Sequence, residues 1–335
     1  MKLAKQLLAT AATLAVAAPA LADVNVYSYR QPELIAPLTD AFTEATGIAV
    51  NVAYLDSGIT ERLVAEGDRS PADVILTVDI SRLAEAVDAG VTQPIRTETL
   101  EKNVPAEFHD PDGHWWGLTT RARVVYASKE RVADGEITTY EDLADPKWKG
   151  RICTRSGTHV YMLGLTSAYI KHHGEEAAKE WLTGLKDNLA RKPQGNDRAQ
   201  VKAIWAGECD ISLGNTYYMG KMLQDEEQAE WANAVRLEFP VFEGGGTHVN
   251  ISGVSLTKAS KNVDEATQFI EFLTSPNAQE IYAEANYEYP IAPGTKAIDL
   301  VAGWGTFEAD GLNLMEIAAE RGTALRLTEE VDYDQ

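Results

Sequence analysis

From Asp23 onward the chain alternates short β-branched runs with amphipathic stretches, and no other feature constrains its fold as tightly. The runs "VNVYSY", "AVNVAYL" and "ADVILTV" read as strands, because Val, Ile and Tyr suit a pleated, half-buried surface. Between and after them, over residues 34–46, 59–66 and 81–89, apolar side chains recur at the three-to-four spacing of one helix face. Parallel strands need crossover helices, so the alternation predicts an α/β domain with a mainly parallel sheet. Ligands of such sheets bind beyond the carboxyl ends of the strands.

The run "HWWGLTTRARVVYASKE" breaks this rhythm. It is one long extended stretch with Arg121 and Arg123 on the same face, and it predicts a strand crossing between two lobes. A second α/β series follows: strand "RICTRS", helices over 160–173 and 175–188, the polar loop "RKPQGNDR", a helix over 199–206 and strand "CDISLG". The glycine-rich "FEGGGTHVNISG" then leads to strand "GVSLTK" and a helix over 264–273, a unit like those of the first lobe, to which the chain is expected to return before a helical tail. No internal repeat stands out. The predicted architecture is two α/β lobes joined by more than one crossing strand, a clamshell that closes by hinge motion on a ligand.

The amino terminus reads as a secretory signal peptide over residues 1–22: Lys2 and Lys5, an apolar run from Leu7 to Ala18, then Ala20-Leu21-Ala22 as cleavage site. That places the mature protein in the periplasm, starting at Asp23, with no stable membrane insertion, since no other apolar stretch nears the roughly 20 residues of a span. Losing Lys2 and Lys5 takes the formal net charge from −21 to −23. So acidic a chain is repelled by phosphate backbones and anionic lipid, which excludes nucleic acid as a partner class. Two cysteines, Cys153 and Cys209, lie in short strand-like runs and are expected to pair in an oxidising compartment. No CxxC or Cys/His cluster of zinc spacing is present.

Three predicted β-to-α junctions of the second lobe carry polar or aromatic groups: "TRSGTHVYML", "KPQGNDR" and "GNTYYMG". Neighbours on a helix point about 100° apart, but at a first turn both rings of Tyr217 and Tyr218 can lean over one mouth. If Tyr161 joins them, three phenol oxygens meet. Phenols ionise near pH 10, so a site using phenolates needs a strong cation, and three phenolates balance the charge of a hard trivalent ion such as Fe(III). Octahedral iron would still need donors that a small anion can supply; the arginine fork suits such an anion, and Arg121, Arg123 and Arg30 are the candidates. Taken singly, these residues also fit a half-buried helix start, a core-edge tyrosine and hinge-spanning ion pairs.

The motifs "VYSYRQPELI", "SPADVILTVDISRL", "WWGLTTRARVVYASKERV", "NLARKPQGNDRAQVKAI", "GNTYYMGKML" and "NISGVSL", in this order, resemble periplasmic ferric-iron-binding proteins, the solute receptors of iron ABC importers, from about Val24 to Pro293. The resemblance implies an α/β, two-lobed periplasmic binding protein (class II) clamshell with hinge strands crossing between lobes. It implies a first lobe of residues 23–120 and 245–295 and a second of 121–244 and 296–335. It further implies a monomer that delivers Fe(III) to an inner-membrane permease and its ATPase. The family's tyrosine ligands fall on Tyr161, Tyr217 and Tyr218, and a synergistic anion, carbonate being the candidate, solvent, or an arginine from the crossing strand completes the site, which points to Arg121 ahead of Arg123. Many relatives add a His or Tyr ligand after the first strand in an "SSRHY"-like motif. Here the stretch reads "SYRQP", with Gln31 and Pro32 at those places and Tyr29 nearby, which resembles the three-tyrosine, anion-assisted subset. The rival readings are a clamshell for a small anion or other organic solute without metal, and a non-haem iron enzyme. The scarcity of histidines beside the tyrosines and the absence of any legible catalytic set argue against the enzyme.

Overall fold

The computed structural model describes residues 22–335, so the expected signal peptide lies, apart from Ala22, outside the described residues. Three strands open the first lobe: β1 (Val24–Ser28), β2 (Val50–Tyr54) and β3 (Val74–Thr77), with β2 and β3 parallel to β1 on either side. α1 (Pro32–Thr46) and α2 (Ile59–Glu66) make the crossovers, and α3 (Ile80–Asp88) follows β3. In α1, Pro32 occupies the first turn, where no N–H is needed, and Ile35, Leu38, Thr39 and Phe42 line the buried face. Gly47, at φ 77°, then ends the helix in the left-handed conformation. A short β4 (Thr92–Gln93) and α4 (Glu98–Asn103) lead to β5 (Trp116–Ser128), which is buried along its whole length.

Beyond β5 come β6 (Ile152–Cys153), α5 (Val160–His173), α6 (Glu175–Asp187), α7 (Asp197–Trp205), β7 (Ile211–Asn215), α8 (Tyr217–Leu223), α9 (Ala229–Asn233) and β8 (Val235–Glu238). The chain then runs through β9 (Val249–Thr257), α10 (Val263–Thr274), α11 (Pro276–Asn286) and β10 (Tyr289–Pro290) to the terminal helices α12 (Asp299–Ala302), α13 (Leu314–Ala319) and α14 (Arg321–Glu330). Strand order is β2-β1-β3-β9-β5-β7-β6.

The crossing strand is where the predicted clamshell is built. The first part of β5 pairs antiparallel with β9, ending with Arg121 opposite Asn250 and Ala122 opposite Val249. Its second part pairs with β7 from Arg123, opposite Asn215, and with β8. The handover from one sheet to the other thus falls between Arg121 and Arg123, which puts both arginines at the hinge. The N–H of Arg123 also donates to the carbonyl of His248, tying β5 to the second crossing segment just before β9.

Each lobe has its own core. Val26, Leu38, Phe42, Leu76 and Phe269 belong to one cluster, and Trp148, Leu163, Trp181 and Leu213 to another. The second cluster also takes in Leu314, Ile317 and Leu327 from the terminal helices, together with Ile80 and Leu83 of α3, so the tail packs against helices of both lobes. Cys153 and Cys209 are joined with Cα atoms 5.9 Å apart, across the parallel pair β6 and β7.

Two strands differ from expectation. "RICTRS" is a strand only over Ile152–Cys153, because the Thr154 carbonyl accepts from the Gln194 N–H and Arg155 turns toward Asp197. Strand "GVSLTK" starts earlier, at Val249, because Asn250 to Ser252 pair with β5 as the chain recrosses the hinge.

Candidate metal centre

The carboxyl ends of β1, β2 and β3 supply one wall of a cleft, with Tyr29, Arg30 and Gln31, then Tyr54 and Asp56, then Val78 and Arg82. The opposite wall comes from helix starts of the second lobe: Tyr161 of α5, Asn196 and Arg198 at α7, and Tyr217, Tyr218 and Lys221 of α8. The cavity between them measures about 310 Å³. Its position follows the general rule for open α/β sheets.

Tyr161 and Tyr217 meet there with phenol oxygens 3.1 Å apart. The Tyr218 ring lies 4.3 Å from that of Tyr217, tilted by 35°, so both rings of the tandem pair face one mouth from the first turn of α8. Two glycines set this helix. A Cβ on Gly214, at the end of β7, would meet the Tyr126 ring at 2.0 Å, and one on Gly220 would meet the Tyr287 ring at 2.3 Å. Neither place admits a side chain, so β7 and α8 lie close against their neighbours and aim the tyrosines into the cleft.

At α5 the cap is unusual. The Tyr161 N–H donates to Nδ1 of His159 at 3.2 Å. Burial, then the charges of Arg155 and Arg123, push this imidazole down to about 3, so it is neutral and free to accept. His159 therefore serves to orient Tyr161, whose ring it touches edge-on at 4.7 Å. Burial raises the phenols of Tyr217 and Tyr218 above their ordinary value, and in both cases the neighbouring Tyr161 raises them further. Without a cation both hydroxyls are protonated at neutral pH.

The arginines separate into distinct roles. Arg121 is 1% exposed, and none of its three guanidinium nitrogens has a hydrogen-bond partner. It borders a small void shared with Arg123, Tyr161, Asn215, His248 and Asn250. Orphaned buried donors of this kind demand an explanation. Arg123 is committed: its Nη1 donates to Asp197 at 3.0 Å and to Asn215 at 3.1 Å. Arg155 donates to the other oxygen of Asp197 at 3.0 Å and lies over the Tyr161 ring. Arg30 is also committed, donating to Glu288 at 2.7 Å, to the Tyr282 hydroxyl at 2.8 Å and to Ser252 at 2.9 Å. The Tyr29 hydroxyl accepts from the Ile59 N–H at 3.0 Å, and its ring is covered by Arg82 at 3.9 Å. Gln31 is exposed at the cleft edge.

Sequence reasoning passed over Arg82 and Lys221, which line the cavity, and Asp197, which pins two arginines beneath it. Arg82 could have been found by its place just after the third strand, in "VDISR". Asp197 could not, because its partners lie far away in sequence.

A family model for bacterial extracellular solute-binding proteins matches residues 69–303. Iron uptake protein A1 of a Synechocystis species is 43% identical, over 93% of this chain and 87% of its own. The apo ferric ion-binding protein A of Pasteurella haemolytica superposes with a TM-score of 0.89 at 52% identity, covering 93% of this chain and 98% of that one. A Trichodesmium protein solved with iron and citrate ligands superposes at 0.89 with 40% identity, over 93% of this chain and 99% of its own. These relatives are solute-binding proteins of transport, not enzymes. The two-lobed clamshell and the relatives agree: the chain belongs to the bacterial extracellular solute-binding proteins, and among them to the periplasmic ferric-iron-binding group.

Proposed function

We propose that this protein captures Fe(III) in the interlobe cleft through the phenolates of Tyr161, Tyr217 and Tyr218, with an anion beside Arg121, and delivers it to an ABC importer. One observation carries the reading: two phenol oxygens 3.1 Å apart, with a third tyrosine packed against the Tyr217 ring, beside a buried arginine that lacks a hydrogen-bond partner. Three phenolates offset the charge of Fe(III), and the Arg121 fork matches a planar anion such as carbonate. The ligands must lose protons to bind, so uptake is coupled to pH.

The lobes of this reading are residues 23–120 with 245–295, and 121–244 with 296–335, flanking the Arg121/Arg123 handover. Their closure would present the bound ion to an inner-membrane permease driven by its ATPase. The protein acts as a monomer in the periplasm, after removal of residues 1–22.

The test is a visible absorption titration of the purified mature protein with Fe(III), with and without bicarbonate. A phenolate-to-iron charge-transfer band saturating at one iron per chain is expected, and it should be lost in the Tyr217→Phe/Tyr218→Phe variant. A colourless wild-type protein would overturn the reading in favour of a metal-free anion receptor, for which the unpartnered Arg121 is the supporting feature.

A further inference from the structure

Tyr287, just past the end of α11, departs from ordinary backbone geometry, with φ 59° and ψ 34°. This is the left-handed conformation in which many helices stop, and glycine or asparagine is the usual occupant. A bulky ring there is strained. Among the described residues Asp332 is the one other non-glycine residue with positive φ. Such strain persists only where the surroundings over-determine it, and it gathers at working parts of a molecule.

The surroundings of Tyr287 are firm. On one side its N–H donates to the Ala283 carbonyl at 2.7 Å, and the Asn286 amide donates to the Leu34 carbonyl at 3.3 Å. On the other side Glu288 accepts from Arg30 at 2.7 Å and from the Ser252 hydroxyl at 2.8 Å. Tyr289 and Pro290 then pair with Thr120 and Thr119 of the crossing strand. The segment is pinned at both ends, and what the strained residue gains is the place of its ring.

That ring rests on an element of the other core. α11 belongs to the first-lobe core through Ala278 and Tyr282, whereas α8 packs through Met219 and Met222 into a separate cluster with Val124 and Cys153. Tyr287 spans the two by lying against Gly220, where an added Cβ would meet its Cγ at 2.3 Å and its Cδ1 at 2.4 Å. Gly220 follows Tyr217 by three residues, so both share one face of α8. At seven residues α8 is too short to hold itself, and packed neighbours set its position. The Tyr287 contact therefore bears on the helix within one turn of the tandem tyrosines.

We propose that Tyr287 is a positioning residue for the metal centre, a stop whose ring, set by a left-handed backbone, fixes where α8 carries Tyr217 and Tyr218. This rests on the tyrosinate reading above. Tyr287 acts through the Gly220 backbone and touches no donor atom of the ion.

The test uses full mature chains and Fe(III) in bicarbonate, reading the charge-transfer band and the iron affinity by competition against a fixed chelator. Tyr287→Gly suits the left-handed backbone but removes the ring. Its affinity should fall ~10-fold or more, the scale on which outer partners of metal ligands act, and its band should shift. The conservative Tyr287→Phe keeps the ring and should keep both. Gly220→Ala should also weaken binding, but combined with Tyr287→Gly its methyl enters vacated space, so the two losses should not add. Wild-type affinity and band in Tyr287→Gly, or strictly additive losses, would overturn the stop while leaving the tyrosinate site standing. A wild-type protein with no band overturns both, so the band itself tells the two failures apart. Circular dichroism checks that Tyr287→Gly folds; if it does not, Tyr287→Asn, which also tolerates the left-handed conformation, replaces it under the same criteria.

Discussion

Asp197→Asn tests the electrostatic floor of the site. The carboxylate is fully buried and accepts from Arg123 and Arg155, each at 3.0 Å, and from the Asn215 N–H at 3.1 Å. Asparagine keeps the shape and one acceptor oxygen but removes the negative charge that pairs with two guanidiniums, whose side chains are 3% and 11% exposed. Removing one partner of a buried pair costs about 3–5 kcal/mol, since the remaining ion is left desolvated. The two pairs share one carboxylate, so the costs do not double. The Asn215 N–H can still donate to the amide oxygen, which spares the ~1 kcal/mol of that bond. The expected loss is therefore about 3–5 kcal/mol, read by urea unfolding of the apo protein. Adding Arg123→Met should restore part of it, because the orphaned charge goes with the side chain. A loss below ~1 kcal/mol, or a double variant weaker than Asp197→Asn alone, would refute the claim that Asp197 neutralises this floor.

Iron affinity, measured by competition against a fixed chelator and corrected for the chelator's own titration, should rise steeply with pH. Burial and the neighbouring Tyr161 raise the hydroxyls of Tyr217 and Tyr218, so each must release a proton when the metal binds, and acid reverses this; a profile that stays flat between about pH 5 and about pH 8 would count against phenolate ligation. Replacing Cys153 and Cys209 by Ala should cost about 4 kcal/mol by the loop-entropy relation for their separation of 56 residues, and unchanged thermal stability would contradict it. Gly214→Ala should destabilise by at least ~2 kcal/mol, since its methyl group would meet the buried Tyr126 ring; wild-type stability would show that the ring moves aside freely. Burial pushes the Glu288 carboxyl up, but Arg30, Arg121 and the hydrogen bond from Thr119 outweigh it and hold the group below its ordinary value. Its stabilisation is thus present above the unfolded-state value and lost as pH falls through the folded one, so Glu288→Gln should flatten the acid limb of a stability-versus-pH curve.

Local pattern carried much of this protein. The helices at Ile59–Glu66 and Val160–His173 were legible to the residue, because apolar spacing and a flanking glycine, Gly67 or Gly174, are both written in the sequence. So was the crossing strand, whose long extended stretch with Thr, Val and Tyr residues spans the hinge. The tandem tyrosines and Tyr161 could be named as candidates from their places at helix starts, and the resemblance to iron-binding proteins singled them out. What periodicity does not encode is who meets whom. Arg121 and Arg123 stand two residues apart on one strand and look equivalent; only the folded chain brings Asp197 to one and leaves the other without a partner. Arg30 was a fair candidate for an anion until the fold set Glu288, 258 positions away, against it. Charge balance within a cleft is the sum of such long-range encounters. Each depends on backbone placement that no short stretch of residues specifies, which is why the division of the arginines into paired and unpaired emerges only once the two lobes face each other.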